Sequence, residues 1–585
     1  MNSKQRLRAR IILIAVGIAA AVLVVTLYSV QIIHGRSYAA KAAAQYAKPA
    51  TALFDRGTIY FSGKDDVETA AATVATGYLV YLNPKQITDP SSTYDALSHY
   101  LTSIDHTTFI ARATKPDDSY EELVHRLDDA SAHSIQALAL PGVYAAPETW
   151  RSYPGATLAS HELGLIGENA SSSSVVGKYG LERSYDGTLG RAGAGPSVNV
   201  FAELFSGLTS SWTGGGKGGN GASAGNGASG HPGDIVTTIE PTVEGYLAKI
   251  LAETQSSWHP DEIGGVVMDP TTGEIVAMAS LPTYDPNDTS AVKDASAFSN
   301  SLVEHVYEMG SIMKPLTMST ALDSGAETPD STYDDTGCMT LNTKKICNYD
   351  GKARGVIPMQ QILSQSLNVG AATIALKTGS STFERYFDSF GIAGKTGVDL
   401  PNEATPLTSN LKGGTDIDVA TASYGQGIAV SPVGMARALS VIANGGYVVT
   451  PHLVKEIDYD DGTVKKANFP KTGPVLKPQT VREVKDMLVK VVDISLANGT
   501  IKKPHYTMAA KTGTAEIADP VNGGYYPDRY LHSFFGFFPA YSPRFIVFLY
   551  QVYPKGAQYA SETLTKPYND LATFLINYYN IQPYR

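Results

Sequence analysis

The chain has 585 residues, of which 43% are hydrophobic and 17% charged. That length exceeds one ordinary core and predicts two or three domains, and the composition is that of folded rather than disordered chain. A formal net charge of −10 with scattered Lys and Arg excludes a general nucleic-acid binder, because no basic face is implied.

Residues 11–30 are apolar apart from Thr26, Tyr28 and Ser29, and as a helix they would span about 30 Å, the thickness of a bilayer core. Lys4, Arg6, Arg8 and Arg10 precede this stretch, while only Arg36 and Lys41 follow closely. The positive-inside bias then predicts a cytoplasmic tail (1–10), one transmembrane helix (11–30) in the cell membrane, and everything beyond it extracytoplasmic. The competing reading is a cleaved signal peptide. It is disfavoured by an apolar core longer than the usual h-region and by Lys41, which interrupts the Ala-rich stretch.

Residues 31–205 form the next region. Residues 38–47 have a helical pattern, Arg56-Gly57-Thr58-Ile59-Tyr60 follows, and residues 78–82 read as a strand ended by Asn83-Pro84. Helical spacing is predicted over 91–104, with Leu97, Tyr100 and Leu101 on one face, and over 119–138, with Leu123, Leu127 and Ala130 on another. His161-Glu162 lacks a second histidine at the spacing of a zinc helix. Residues 206–233 are dominated by Gly, Ser, Ala and Asn and are expected to be a linker or long loop. Gly221-Ala222-Ser223-Ala224-Gly225 within them matches a nucleophile elbow, but no strand precedes it and no helix follows.

From residue 234 the pattern becomes regular. Residues 237–239 open a segment that turns helical through Leu247, Ile250 and Leu251, and residues 263–268 and 274–279 read as strands joined by the turn Asp269-Pro270-Thr271-Thr272-Gly273. Helical stretches follow from Ser311 and at 359–363, 369–376 and 432–442; strands return at 506–517, 533–538 and 545–553, and 570–579 is a last helix. This order predicts an α+β domain over 234–585, its antiparallel sheet assembled from both ends and flanked by helices. Cys338 and Cys347 are the only cysteines and bracket a hairpin-like pattern with Asn342-Thr343-Lys344 as the turn. A disulfide is the first reading, with two free thiols or a metal site as alternatives; no His or further Cys lies nearby to complete a metal set. No metal and no cofactor is expected.

Three features carry chemistry. Ser311 and Lys314 stand three residues apart at the start of an apolar helix, which puts them on one face and the serine at the electropositive end. Ser366-Leu367-Asn368 lies between two helical runs, where a hydroxyl and an amide can project into a cleft. Lys511-Thr512-Gly513-Thr514 lies inside a strand; its glycine admits close approach of a ligand backbone, and its lysine and hydroxyls can receive a carboxylate. Lys-Thr-Gly also occurs at Lys377, after a helix with Gly379 as its C-cap, and at Lys395 in a loop, but only the Lys511 copy has strands after it.

These motifs, in this order, resemble those of penicillin-binding proteins and serine β-lactamases. The chain resembles a class B penicillin-binding protein, a peptidoglycan D,D-transpeptidase of the division or elongation type. The likeness extends to Leu140-Pro141-Gly142-Val143, Gly180-Leu181-Glu182, Asp285-Pro286-Asn287, Tyr424-Gly425-Gln426-Gly427-Ile428 and Ala443-Asn444-Gly445-Gly446. It departs from the family where Phe61-Ser62-Gly63-Lys64 replaces Asp-Arg-Asn-Gly, in the glycine-rich linker and in the cysteine pair.

The resemblance implies a serine β-lactamase/transpeptidase-like catalytic domain (234–585) behind a transmembrane helix and an elongated pedestal (31–205). It implies Ser311 as nucleophile, Lys314 as its base, Ser366 as proton relay and Asn368 as holder of the stem-peptide amide. Lys511, Thr512 and Thr514 would bind the donor carboxylate, with Gly513 admitting the substrate backbone, and the Ser311 and Thr514 backbone N–H groups would form the oxyanion hole. Implied partners are peptidoglycan stem peptides, β-lactam antibiotics and a polytopic SEDS-type membrane glycosyltransferase. Competing readings are a D,D-carboxypeptidase or β-lactamase, which would let water resolve the acyl-enzyme, and a non-catalytic scaffold.

Overall fold

The computed structural model describes residues 55–116, 118–168, 175–191 and 232–583. The expected tail, membrane helix and Ala-rich helix, and the linker up to residue 231, lie outside the described residues. Among the described residues no helix is long and apolar enough to cross a membrane. The chain divides into two compact units. Among the described residues, one comprises Asp55 and 74–150, and the other 56–73, 151–191 and 232–583. The expected pedestal, 31–205, therefore contributes to both.

The larger unit is built on a five-stranded antiparallel sheet of β1 (Glu262–Met268), β2 (Ile275–Leu281), β3 (Ala509–Ala518), β4 (Tyr525–Phe538) and β5 (Phe545–Val552), in the order β3-β4-β5-β1-β2. The two ends of the domain meet where β5 pairs with β1, Phe548 opposite Val266. The second half of β4, from Leu531 to Phe538, and nearly all of β5 are buried, as expected for strands covered on both faces. Helix α1 (Lys314–Asp323) is buried along its whole length, which accounts for its lack of a polar stripe; it packs with α2 (Gln360–Ser364), α3 (Asn368–Thr378) and α4 (Pro432–Ala443). A second sheet joins Val464–Lys466, Val454–Tyr459, Gly233–Thr237, Ile59–Ser62 and the beginning of Glu68–Leu82.

Residues 56–73 and 151–191 are tied to each other by a buried ionic cluster. The Arg56 Nε and Arg151 Nε each donate to one oxygen of Glu182 at 2.6 Å, and Arg56 also reaches Asp186 at 2.8 Å. Glu182 is fully buried. Two of the sequence motifs, at Arg56 and at Glu182, thus meet Arg151, and Glu182 and Asp186 together supply the counter-charge for two guanidiniums that could not be buried alone.

In the smaller unit, the later residues of Glu68–Leu82 pair with Glu121–Leu127 and Val143–Ser152. Helices Pro90–Leu97, His106–Ala113 and Asp129–Ala137 are present, each capped by an aspartate side chain accepting from the N3 amide. The helix expected over 119–138 is corrected here: its first half is the strand Glu121–Leu127, and only Asp129–Ala137 is helical. Leu123 and Leu127 share a face at a spacing of four in either structure, so the sequence pattern was degenerate. Strand pairing of Val80 with Val124 and Tyr78 with Leu127 decides for the strand.

Replacing Glu182 with alanine takes the carboxylate from the buried Arg151 guanidinium and leaves Arg56 with Asp186 alone. We expect a loss of about 3 kcal/mol in chemical denaturation of the region from residue 55 onward; a loss below about 1 kcal/mol would show that the cluster does not hold these segments together.

Candidate active site

Ser311 sits in the 3-10 turn Gly310–Met313 that feeds directly into α1, so Lys314, the first α-helical residue, lies one turn on. Glycines let this turn press against β3. A Cβ at Gly310 would lie 2.6 Å from the Thr514 carbonyl oxygen, and one at Gly513 would lie 2.6 Å from the Met309 carbonyl oxygen. On the turn's other side, a Cβ at Gly425 would meet the Gly310 carbonyl oxygen at 2.2 Å. Ser533 on β4 locks the arrangement by donating to the Met309 carbonyl at 2.7 Å. The backbones of Ser311 and Thr514 are brought together only because neither contact surface carries a side chain.

The Lys314 amine is fully buried and has four oxygens around it: Ser311 Oγ at 3.0 Å, the Ser366 carbonyl at 2.6 Å, Ser366 Oγ at 3.2 Å and Asn368 Oδ1 at 2.8 Å. Lys511 Nζ lies 2.9 Å from Ser366 Oγ and 2.9 Å from the Thr512 carbonyl. The Ser366 hydroxyl therefore bridges two amines. It can do so because Ser366 adopts a left-handed conformation (φ 56°), which aims both its carbonyl and its hydroxyl at lysines. Such a conformation costs a non-glycine residue about 1–3 kcal/mol.

Asn368 begins α3 and is held from its other end, its Nδ2 donating to the Cys347 carbonyl at 3.0 Å. Cys347 closes the hairpin Cys338–Leu341/Lys344–Cys347, whose turn is Asn342-Thr343, and is disulfide-bonded to Cys338. Of the alternatives open in the sequence, the structure contains the disulfide. The other two Lys-Thr-Gly copies are structural. Lys377 pairs with Glu327 beside the Gly379 cap, and the Lys395 carbonyl accepts from Arg437. His161 is buried with its ring nitrogens against Ala297 and Ser280.

Ser311, Ser366, Asn368, Lys511, Thr512 and Thr514 line one cleft of about 920 Å³. Sequence reasoning did not assign Tyr349, Glu516, Tyr530 or Tyr559, which also line it, and gave no role to Tyr424 or Gln426. For Glu516 a signal existed: strand alternation puts residues 512, 514 and 516 on one face.

No carboxylate neutralises either amine in these contacts. Burial pushes Lys314 well below the usual lysine range, and the charge of Lys511 lowers it further. Burial alone lowers Lys511, to about 7. In each case the unfolded chain binds the proton more tightly than the folded one, so the site's contribution to stability rises with pH from about 7 to about 10.4. For chemistry the asymmetry matters more. Lys314 bears both burial and repulsion and releases its proton first, leaving a neutral amine beside Ser311 while Lys511 stays cationic.

A profile described as the penicillin binding protein transpeptidase domain matches residues 263–571, and one described as the penicillin-binding protein dimerisation domain matches 53–196. The first spans more than half of the chain, and the chain belongs to the class B penicillin-binding proteins. It is 28% identical over 511 residues to stage V sporulation protein D of Bacillus subtilis, covering 85% of this chain and 74% of that protein. It is 27% identical over 496 residues to the probable peptidoglycan D,D-transpeptidase FtsI of Caulobacter vibrioides, covering 82% and 73%. The crystal structure of penicillin-binding protein 3 from Mycobacterium tuberculosis, complexed with aztreonam, superposes with a TM-score of 0.66 at 22% identity, covering 91% of this chain and 98% of that one; this likeness establishes the fold.

The charges predict a bell-shaped pH profile for the second-order acylation constant with an anionic β-lactam. The rising limb follows deprotonation of Lys314, and the falling limb, near 7, follows loss of the Lys511 charge. Lys511→Met should abolish the falling limb and move the rising limb to higher pH. A rising limb that stays in place would show that Lys511 does not depress Lys314.

Proposed function

We propose that the protein cross-links peptidoglycan stem peptides as a serine D,D-transpeptidase and is acylated at Ser311 by β-lactams. The observation that carries this reading is the contact of a buried Lys314 amine with Ser311 Oγ, with Ser366 Oγ bridging to a second lysine. Its family membership and its relatives' activity as D,D-transpeptidases support the same chemistry.

The neutral Lys314 takes the Ser311 hydroxyl proton as Oγ attacks the carbonyl between the two terminal D-alanines. The Ser311 and Thr514 N–H groups receive the developing oxyanion, each such donor being worth about 3 kcal/mol. As the C–N bond breaks, the proton passes from Lys314 through the Ser366 hydroxyl to the leaving amine, and free D-alanine departs. Lys511, Thr512 and Thr514 hold the terminal carboxylate, with Gly513 leaving room for the ligand backbone. Asn368 holds the stem-peptide amide. An amine of a neighbouring stem then attacks the ester; its proton returns by the same relay to Ser311 Oγ, which leaves.

This reading places the protein in the cytoplasmic membrane through residues 11–30, with the catalytic domain outside. A polytopic SEDS-type glycosyltransferase is its proposed partner in making the glycan strand. The positive-inside pattern of the first ten residues supports the first proposal, and the family resemblance supports the second.

Mixing the region from about residue 35 onward with benzylpenicillin and following the intact mass should show one adduct that persists for hours, absent in Ser311→Ala. An adduct lost within seconds would favour a hydrolase, and none at all, or one retained in Ser311→Ala, would overturn the assignment.

A further inference from the structure

Strand β3 is the edge of its sheet, and its residues Thr512, Thr514 and Glu516 all line the cleft. Glu516 lies about 7 Å beyond Thr514 at two residues of strand rise. A donor with its terminal carboxylate near Lys511 and Thr512 and its scissile carbonyl near Ser311 runs antiparallel to β3. The residue preceding its two D-alanines then falls beside Glu516.

Along β3 the charge changes sign: Lys511, which meets Ser366 beside the buried Lys314, precedes Glu516 by five residues, and Lys345 and Glu562 also line the cleft. Among the described residues Glu516 has no hydrogen-bond or ion-pair partner, whereas Glu562, which also lines the cleft, accepts from the Gln558 and Tyr559 amides at 3.2 and 2.9 Å. Tyr530 is the cross-strand partner of Glu516, so its side chain stands on the same face, and it lines the same cleft. A carboxylate beside an aromatic ring suits an ammonium group, which gains from both. Nearby, Glu308 has one buried carboxylate oxygen without a hydrogen-bond partner, and its carboxyl is pushed up by burial and also by the Glu516 charge. Glu516 and Glu308 are thus close enough to act on one another, two carboxyl groups on this part of the cleft.

We propose that Glu516 is a specificity-determining residue that binds a cationic side-chain amine on the stem-peptide residue preceding the two terminal D-alanines; this rests on the transpeptidase reading above. The resting cleft offers a carboxylate-binding end and an ammonium-binding end at the separation of an extended peptide. A donor whose amine has been acylated forfeits the second contact and leaves Glu516 unpaired.

The test uses two synthetic depsipeptides ending in D-alanyl-D-lactate, with lysine or Nε-acetyl-lysine before the D-alanine, and compares kcat/KM for lactate release. The wild type should favour the free amine about tenfold, the worth of a charge-assisted hydrogen bond. In Glu516→Gln that ratio should collapse towards one, and in Glu516→Lys it should fall below one, with thermal midpoints confirming that both variants are folded. A wild type that turns over both donors equally, or a Glu516→Gln variant that keeps the preference, overturns this inference alone. Failure of the wild type to release lactate from either donor or to form a penicilloyl adduct overturns the transpeptidase reading and this inference with it.

Discussion

The site is organised around two lysine amines buried without a carboxylate to neutralise them. Burying an ammonium without a counterion is costly, and the structure resolves the cost by lowering the proton affinity of Lys314 and surrounding it with oxygens. Either protonation state can engage three of the four oxygens. The neutral amine donates to the Ser366 carbonyl and Asn368 Oδ1, which can only accept, and accepts from the Ser311 hydroxyl. The nucleophile is thus activated by the solvation problem of its neighbour.

Everything around that amine serves to hold it in place. The glycines at 310, 425 and 513 allow three backbones to touch where any side chain would separate them. The left-handed Ser366 is a local expense offset by the bonds its carbonyl and hydroxyl make to the two lysines. Asn368 is clamped between Lys314 and the Cys347 carbonyl, so the disulfide hairpin supports the amide that the mechanism assigns to substrate. The buried sheet behind the cleft, with aromatic residues along β4 and β5, supplies the apolar burial that these polar arrangements draw upon.

Much of this was legible in the sequence where local chemistry decides the structure. The two halves of the sheet, the apolar helix after Ser311 and the placement of Ser366-Leu367-Asn368 between helices follow from periodicity and turn residues. Which of three Lys-Thr-Gly copies belongs to the site followed from the strands after Lys511. The strand Glu121–Leu127 was not legible, because its apolar spacing suits a helix equally and only its cross-strand partners choose. Nor was the role of Glu182, since a buried carboxylate shared by two arginines distant in sequence leaves no local trace. The αL turn at Ser366 and the glycine contacts are tertiary facts of the same kind, set by what the backbone approaches and not by the residues alongside.

The central claim is that Lys314 is a neutral amine poised to accept the Ser311 proton. A neutron structure of the deuterated region from residue 55 onward, at neutral pH, observes that proton directly. The account predicts two deuterons on Lys314 Nζ, with the Ser311 deuteron on Oγ and directed at the nitrogen. Three deuterons on Lys314 Nζ would contradict it and would require another group to activate the serine.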